Sequence, residues 1–213
     1  MKTNGQNANF KTNALIAISV AFSLVYAIFL LVQGILYHSG WFYVMSAYYL
    51  LLFAMRCYVF AKVVQNNSPR AKTATMGVCG YCLLGLNVVV SVSMFVLIYT
   101  NRAVDYHVIT VISLATYTFY SIAMAIVGSV KQFRQNNPVY LSAKAISMVS
   151  TSVSLVNLTS TMLATFGDDS PALRSIILPI LSAFVTLFIT TCAILLICKS
   201  KQDLRKLDNE EKR

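Results

Sequence analysis

Long apolar runs separated by short polar segments set the rhythm of this 213-residue chain. Six runs stand out, at 14–36, 41–60, 75–99, 108–130, 145–166 and 176–198. Each can cross about 30 Å of hydrocarbon at roughly 1.5 Å of helix rise per residue. Apolar positions follow one another continuously instead of alternating, so the period is not that of a half-buried strand. Inside lipid every backbone polar group must find a partner within its own segment or in a closed barrel. The pattern therefore predicts an all-α, polytopic transmembrane bundle of six helices. No linker or low-complexity stretch divides it, which makes 1–213 a single domain, with a charged tail at 199–213 that extends the sixth helix. Lys2 and Lys11 precede the first run as they would a signal peptide. That run is longer than a signal core and no small-residue cleavage site follows, so it reads as a retained helix.

Composition agrees and excludes alternatives. The chain is 57% hydrophobic and 11% charged, with a mean hydropathy of +0.68. An ordinary soluble domain carries about 25% charged residues. A soluble enzyme, a disordered chain and a disulfide-framed secreted domain are all excluded. The net charge of +10 could point to nucleic acid, anionic lipid or membrane topology. Its distribution decides. Fifteen of the 17 basic residues fall in the first segment, the second and fourth connections with their flanks, and the tail; only Arg102 and Arg174 lie in the others. By the positive-inside rule both termini face the cytoplasm. The basic loops are too short, and too poor in interleaved aromatics, for a nucleic-acid surface. Tyr37, Trp41, Phe42 and Tyr43 flank the turn at 38–40 as an outer aromatic belt, while Tyr58, Phe60, Phe133 and Tyr140 form a sparser inner one.

A weak internal self-similarity runs through the chain. Tyr26-Ala27-Ile28 through Gly34 matches Tyr120-Ser121-Ile122 through Gly128 in spacing, and Ser46-Ala47 and Ser142-Ala143 follow. Asn66-Asn67-Ser68-Pro69 then corresponds in form to Asp168-Asp169-Ser170-Pro171. Three helices per half would give a 3+3 inverted repeat, the plan of many transporters. Shared letters between apolar helices and the common Ser-Pro turn pair give the same likeness by chance.

Polar residues inside the runs are the candidate chemistry. On the fifth helix Ser147, Ser150, Thr151, Ser154, Asn157, Thr161 and Thr165 share one side. Such a stripe either packs helices closely or lines a substrate or ion path. The third helix offers Gly80, Asn87, Ser91 and Met94 as a matching face, and Asn87 could meet Asn157 across the bundle. The candidate polar lining is thus Asn87, Ser91, Ser154, Asn157 and Thr161. Arg56 lies about one turn inside the cytoplasmic end of the second helix, where it can snorkel to the headgroups. With Lys62, Arg70 and Lys72 it is a candidate contact for an anionic headgroup or substrate. Gln33 and His38 sit at the outer end of the first helix, where a hydrated turn residue is the plain reading of the histidine.

Catalytic chemistry is missing. None of the six runs holds an Asp or Glu, so the usual carboxylate of a proton relay is absent. Asp168 and Asp169 read as a helix cap before Pro171, and two histidines cannot build a zinc site. Cys79-Gly80-Tyr81-Cys82 has redox spacing, but no strand precedes it and it opens a membrane helix on the reducing side. All five cysteines read as small packing residues. No phosphate loop or nucleophile triad appears, and no cofactor is expected.

Three segments carry a resemblance. They are Tyr37-His38-Ser39-Gly40-Trp41-Phe42 through Ala47-Tyr48-Tyr49 and Met55-Arg56, then Asn137-Pro138 with Ser142-Ala143-Lys144-Ala145-Ile146-Ser147, and Met162-Leu163 leading to Phe166-Gly167. In these the chain resembles a family of six-span membrane proteins from Firmicutes of the clostridial type. The resemblance implies a six-span topology and a bacterial cytoplasmic membrane, and it carries no mechanism or site residue. The expectation is a multi-pass cell-membrane protein acting as a small transporter or substrate-binding subunit. An accessory or envelope-associated membrane protein is the alternative. An enzyme acting on lipid ranks below both. The expected partners are the bilayer, its anionic cytoplasmic headgroups and a small-molecule substrate.

Overall fold

In the computed structural model, residues 3–65, 69–100, 107–132, 138–166 and 171–211 are described. They form six helices and, among the described residues, no strand: α1 (Thr3–Tyr37), α2 (Gly40–Gln65), α3 (Pro69–Thr100), α4 (Val108–Gln132), α5 (Pro138–Phe166) and α6 (Pro171–Glu211). All six are long and apolar enough to cross a membrane. The helices overrun the apolar stretches at several ends, most of all α6, which carries the charged tail onward as helix. Pro69, Pro138 and Pro171 each occupy the first helical position. There the missing N–H costs nothing and the fixed φ suits a helix start. Ser68 and Ser170 of the two Ser-Pro pairs, the Asp168–Asp169 cap, and Lys2, Arg102, Asp105, Phe133, Arg134, Lys212 and Arg213 lie outside the described residues.

Between α1 and α2 the chain reverses in two residues. His38 adopts φ 47°, and the Ser39 N–H donates to the Gly34 carbonyl at 3.2 Å. This is a Schellman closure with histidine where glycine is usual. Ser39 then serves the next helix, its carbonyl accepting from Tyr43 N–H at 3.3 Å. Gly34 lets Tyr43 close in, since a Cβ there would sit 3.2 Å from the Tyr43 ring.

Cross-helix pairs fix antiparallel neighbours. Arg70 and Thr73, at the start of α3, meet Asp208 and Ser200 of α6, whereas Ser91 further along meets Thr186. On α4 and α5, Ser121 pairs with Thr151 and Thr118 with the Ser154 carbonyl. One end of the bundle thus holds the starts of α1, α3 and α5 and the ends of α2, α4 and α6; it is labelled the inner end after the orientation expected from the basic residues. The main packing pairs are α3 with α6, α1 with α2, and α4 with α5. α5 also touches α6, α3 and α2. It is the hub: 56% of its span is buried, against 22% for α4 and α6.

Burial runs opposite to that of a soluble protein. Phe119 and Phe184 are 69% exposed, whereas Ser142, Ser154 and Asn157 are fully buried. A surface this apolar suits lipid, where helix association relies on close packing and hydrogen bonds because lipid tails are as apolar as the side chains.

Candidate functional site

The polar stripe of α5 is occupied by its own helix and its neighbours. Thr151, Ser154, Thr161 and Thr165 each donate to a carbonyl three or four residues back, at 2.8–3.0 Å. Such back-bonding satisfies a hydroxyl without any outside partner. Interhelical bonds take up further groups. Tyr49 of α2 donates to the Ser150 carbonyl at 3.0 Å, and Thr151 reaches the Ser121 carbonyl at 3.2 Å. Asn157 accepts from the Trp41 indole N–H at 2.9 Å and donates to the Tyr26 hydroxyl at 3.1 Å. Trp41 and Phe42 are therefore buried in the bundle and do not stand in the outer belt, where Tyr43 stays exposed. The indole turns inward because its N–H finds a buried acceptor there.

The matching face of α3 turns elsewhere than expected. Asn87 donates to Thr190 Oγ1 at 2.8 Å and to the Thr186 carbonyl at 3.4 Å, and Ser91 pairs with Thr186, all on α6. Among the described residues the Asn87 side-chain oxygen has no hydrogen-bond partner. Asn87 and Asn157 thus make no bond to each other. Gly77 and Gly80 continue the α3–α6 seam: a Cβ on Gly80 would come within 2.6 Å of Ile197 Cγ1, and one on Gly77 within 2.8 Å of Ser200 Oγ. Small residues here let the two backbones approach.

α1 and α4 meet through long side chains. Phe22 stacks on Tyr120 with ring centroids 4.2 Å apart, and Tyr26 on Tyr117 at 3.4 Å. Nearer the outer end, Thr110 donates to Gln33 at 3.2 Å, and the His107 N–H donates to Tyr37 Oη at 3.0 Å. Toward the inner end the seam leaves a cavity of about 20 Å³, bounded by Phe22 and Ser23 of α1, Arg56 of α2, Ser147 of α5 and a face of α4. Tyr117, Tyr120, Ser121 and Met124 form that α4 face, at the i, i+3, i+4, i+7 spacing of one helix side. The volume suits one water molecule.

Arg56 turns into this seam. Its Nη1 donates to Ser23 Oγ at 2.7 Å, and Tyr117, Tyr49 and Tyr120 are its electrostatic neighbours. The other candidate cations go separate ways. Lys62 lies over the Tyr58 ring at 5.9 Å, Arg70 pairs with Asp208 at 3.0 Å, and Lys72 is half-buried on α3. Of the nine candidate site residues only Arg56 lines the cavity. Ser23, Tyr117, Tyr120, Ser121 and Ser147 escaped the sequence reading as a group. The helical spacing on α4, opposite an arginine, was the signal available. Cys79 is buried and Cys82, one turn further along α3, is exposed, and all five thiols are free. Neither models of known protein families nor curated proteins match this chain.

Proposed function

We propose that this multi-pass membrane protein is a small transporter or substrate-binding membrane subunit whose site is the chamber around Arg56. The observation that carries the reading is the inward turn of Arg56 onto Ser23, beside a cavity lined by serine and tyrosine residues. An ionisable group at membrane depth is costly, and where present it generally marks a substrate or ion path. The positive-inside pattern puts the chamber toward the cytoplasmic leaflet of a cell membrane, bacterial by the family resemblance, with Lys62, Arg70 and Lys72 near its anionic headgroups. The polar stripe of α5 then holds helices together.

The test is access. Ala125 of α4 also lines the cavity, and with the five native cysteines replaced, Ala125→Cys should react with a small charged thiol reagent in membrane vesicles. A lipid-facing control, Phe184→Cys, should react far more slowly. Equal protection of both positions would overturn the reading. The second reading, an accessory or envelope-associated protein, is favoured by the hydrogen bonds that occupy the α5 stripe, and that protected result is the one it requires.

A further inference from the structure

We propose that the outward face of the α6 extension is a docking surface for the anionic lipid headgroups of the leaflet from which it emerges. The surface stands apart from the Arg56 chamber, and its failure would leave that reading untouched. Past Cys198, where the apolar run ends, α6 continues as helix to Glu211. Lys199, Lys201, Arg205 and Lys206 are all exposed on this extension. At the helical step they fall within an arc of about 160°, centred opposite Ser200. Ser200 is buried and donates to the Thr73 carbonyl of α3 at 2.7 Å. That contact fixes the rotation of the extension and turns the basic arc outward. Asp203 and Asp208 lie outside the arc and are half-buried, and Asp208 pairs with Arg70 at 3.0 Å.

Depth and side-chain direction select the partner. The four basic and four acidic residues of 199–211 cancel in sum but not in place. The headgroup layer adds about 5–7 Å beyond the hydrocarbon on each side, and its field decays over about 8–10 Å at ordinary salt. Lys206 lies roughly 12 Å past Cys198 along the helix, inside that reach. Glu210 and Glu211, at roughly 18–20 Å, lie beyond it. The charge felt by the membrane is therefore the basic arc. Helical side chains also lean toward the N-terminus of their own helix. For α6 that direction is back into the bilayer, so the long Lys and Arg side chains snorkel up to the phosphates. A soluble acidic partner would be served by the opposite lean. A basic cluster this close to the end of a span is the form that holds anionic lipid.

The experiment measures lipid selectivity at the protein boundary. The full chain is reconstituted in phosphatidylcholine vesicles, and spin-labelled phosphatidylglycerol is compared with spin-labelled phosphatidylcholine. Phosphatidylglycerol should be preferred at least about threefold at low salt, and the preference should shrink as salt rises. The double variant Lys201→Gln with Arg205→Gln should lose most of it. Both positions are exposed, and glutamine forms helix about as well as lysine or arginine, so the fold is kept. The exchange Lys201→Arg with Arg205→Lys keeps both charges and should keep the preference. Lys62→Gln with Lys72→Gln removes two charges from α2 and α3 and should cost clearly less. Equal association of the two lipids would overturn the proposal, as would a preference unchanged in the α6 double variant. Equal losses in the two charge-removing pairs would replace the α6 face with a diffuse field and overturn it too. Binding of poly-glutamate without any lipid preference would assign the face to an acidic protein instead.

Discussion

The indole N–H of Trp41, in the first turn of α2, donates at 2.9 Å to the side-chain carbonyl of Asn157 on α5, 116 residues away in sequence. The same amide donates to Tyr26 of α1 at 3.1 Å, so one asparagine ties three helices. Its side chain is fully buried, and its loss strands two polar partners in an apolar interior. Asn157→Leu should therefore cost about 1–3 kcal/mol, the range for orphaned buried groups, although membrane hydrogen bonds average nearer 0.6 kcal/mol. Trp41→Phe should cost less, because Asn157 keeps Tyr26. Denaturation in detergent measures both. A leucine variant as stable as the parent would mean the bond does not tie the bundle.

The α3–α6 seam makes an opposite kind of demand, for absence of side chain. A Cβ on Gly80 would lie 2.6 Å from Ile197 Cγ1 and 3.1 Å from the Ala193 carbonyl. The carbonyl cannot move without shifting α6, so Gly80→Ala should destabilise by about 1–3 kcal/mol, as overpacking does. Ile197→Ala should recover part of that loss in a double-mutant cycle. Gly85, with nothing within 4 Å of its added Cβ, is the control. There alanine should be neutral or gain about 0.5–1 kcal/mol from helix propensity. Equal costs at the two glycines would mean that α3 and α6 are not in this register.

Much of the fold is legible in the sequence because lipid permits few solutions. A continuous apolar run of span length has to be a helix, and proline placement marks where α3, α5 and α6 begin. Which face of a helix meets which neighbour is a different matter. The stripe on α5 and the face holding Asn87 and Ser91 share a composition, yet one turns to α1, α2 and α4 and the other to α6. In an apolar solvent every polar stripe must be buried, so the stripe itself does not name its partner. Arg56 shows the same limit. Its position near the inner end of α2 fits a snorkelling side chain, and only the spacing of Ser23 and the α4 tyrosines around it makes the inward rotamer favourable.

The α1–α2 turn contains a local conflict that a single substitution relieves. His38 holds a left-handed backbone at φ 47°, a conformation that costs an L-residue roughly 1–2 kcal/mol and glycine almost nothing. His38→Gly should stabilise the protein by about 1 kcal/mol, after allowing for glycine's greater freedom when unfolded. His38→Val should destabilise it, since a β-branched residue tolerates positive φ least. Chemical denaturation of the three proteins ranks them. Valine at or above histidine would rule out the left-handed turn.

Arg70 and Asp208 join the inner end of α3 to the helical extension of α6 at 3.0 Å, with side chains 61% and 48% exposed. Exposed pairs of this kind are worth little, because water competes for both charges and holding two flexible side chains costs entropy. Asp208→Ala should therefore change stability by less than about 0.5 kcal/mol, and added salt should mask even that. The buried contact beneath it behaves differently. Ser200 donates to the Thr73 carbonyl at 2.7 Å, and its Oγ lies where a Cβ on Gly77 would intrude. Ser200→Val removes the donor and widens the side chain against the closest part of the seam, so it should cost at least 1 kcal/mol, within the range for overpacking. Hydrogen exchange along 199–211 separates the two contributions. Protection should persist in Asp208→Ala and fall in Ser200→Val; the reverse order would place the anchor of the α6 extension in the ion pair.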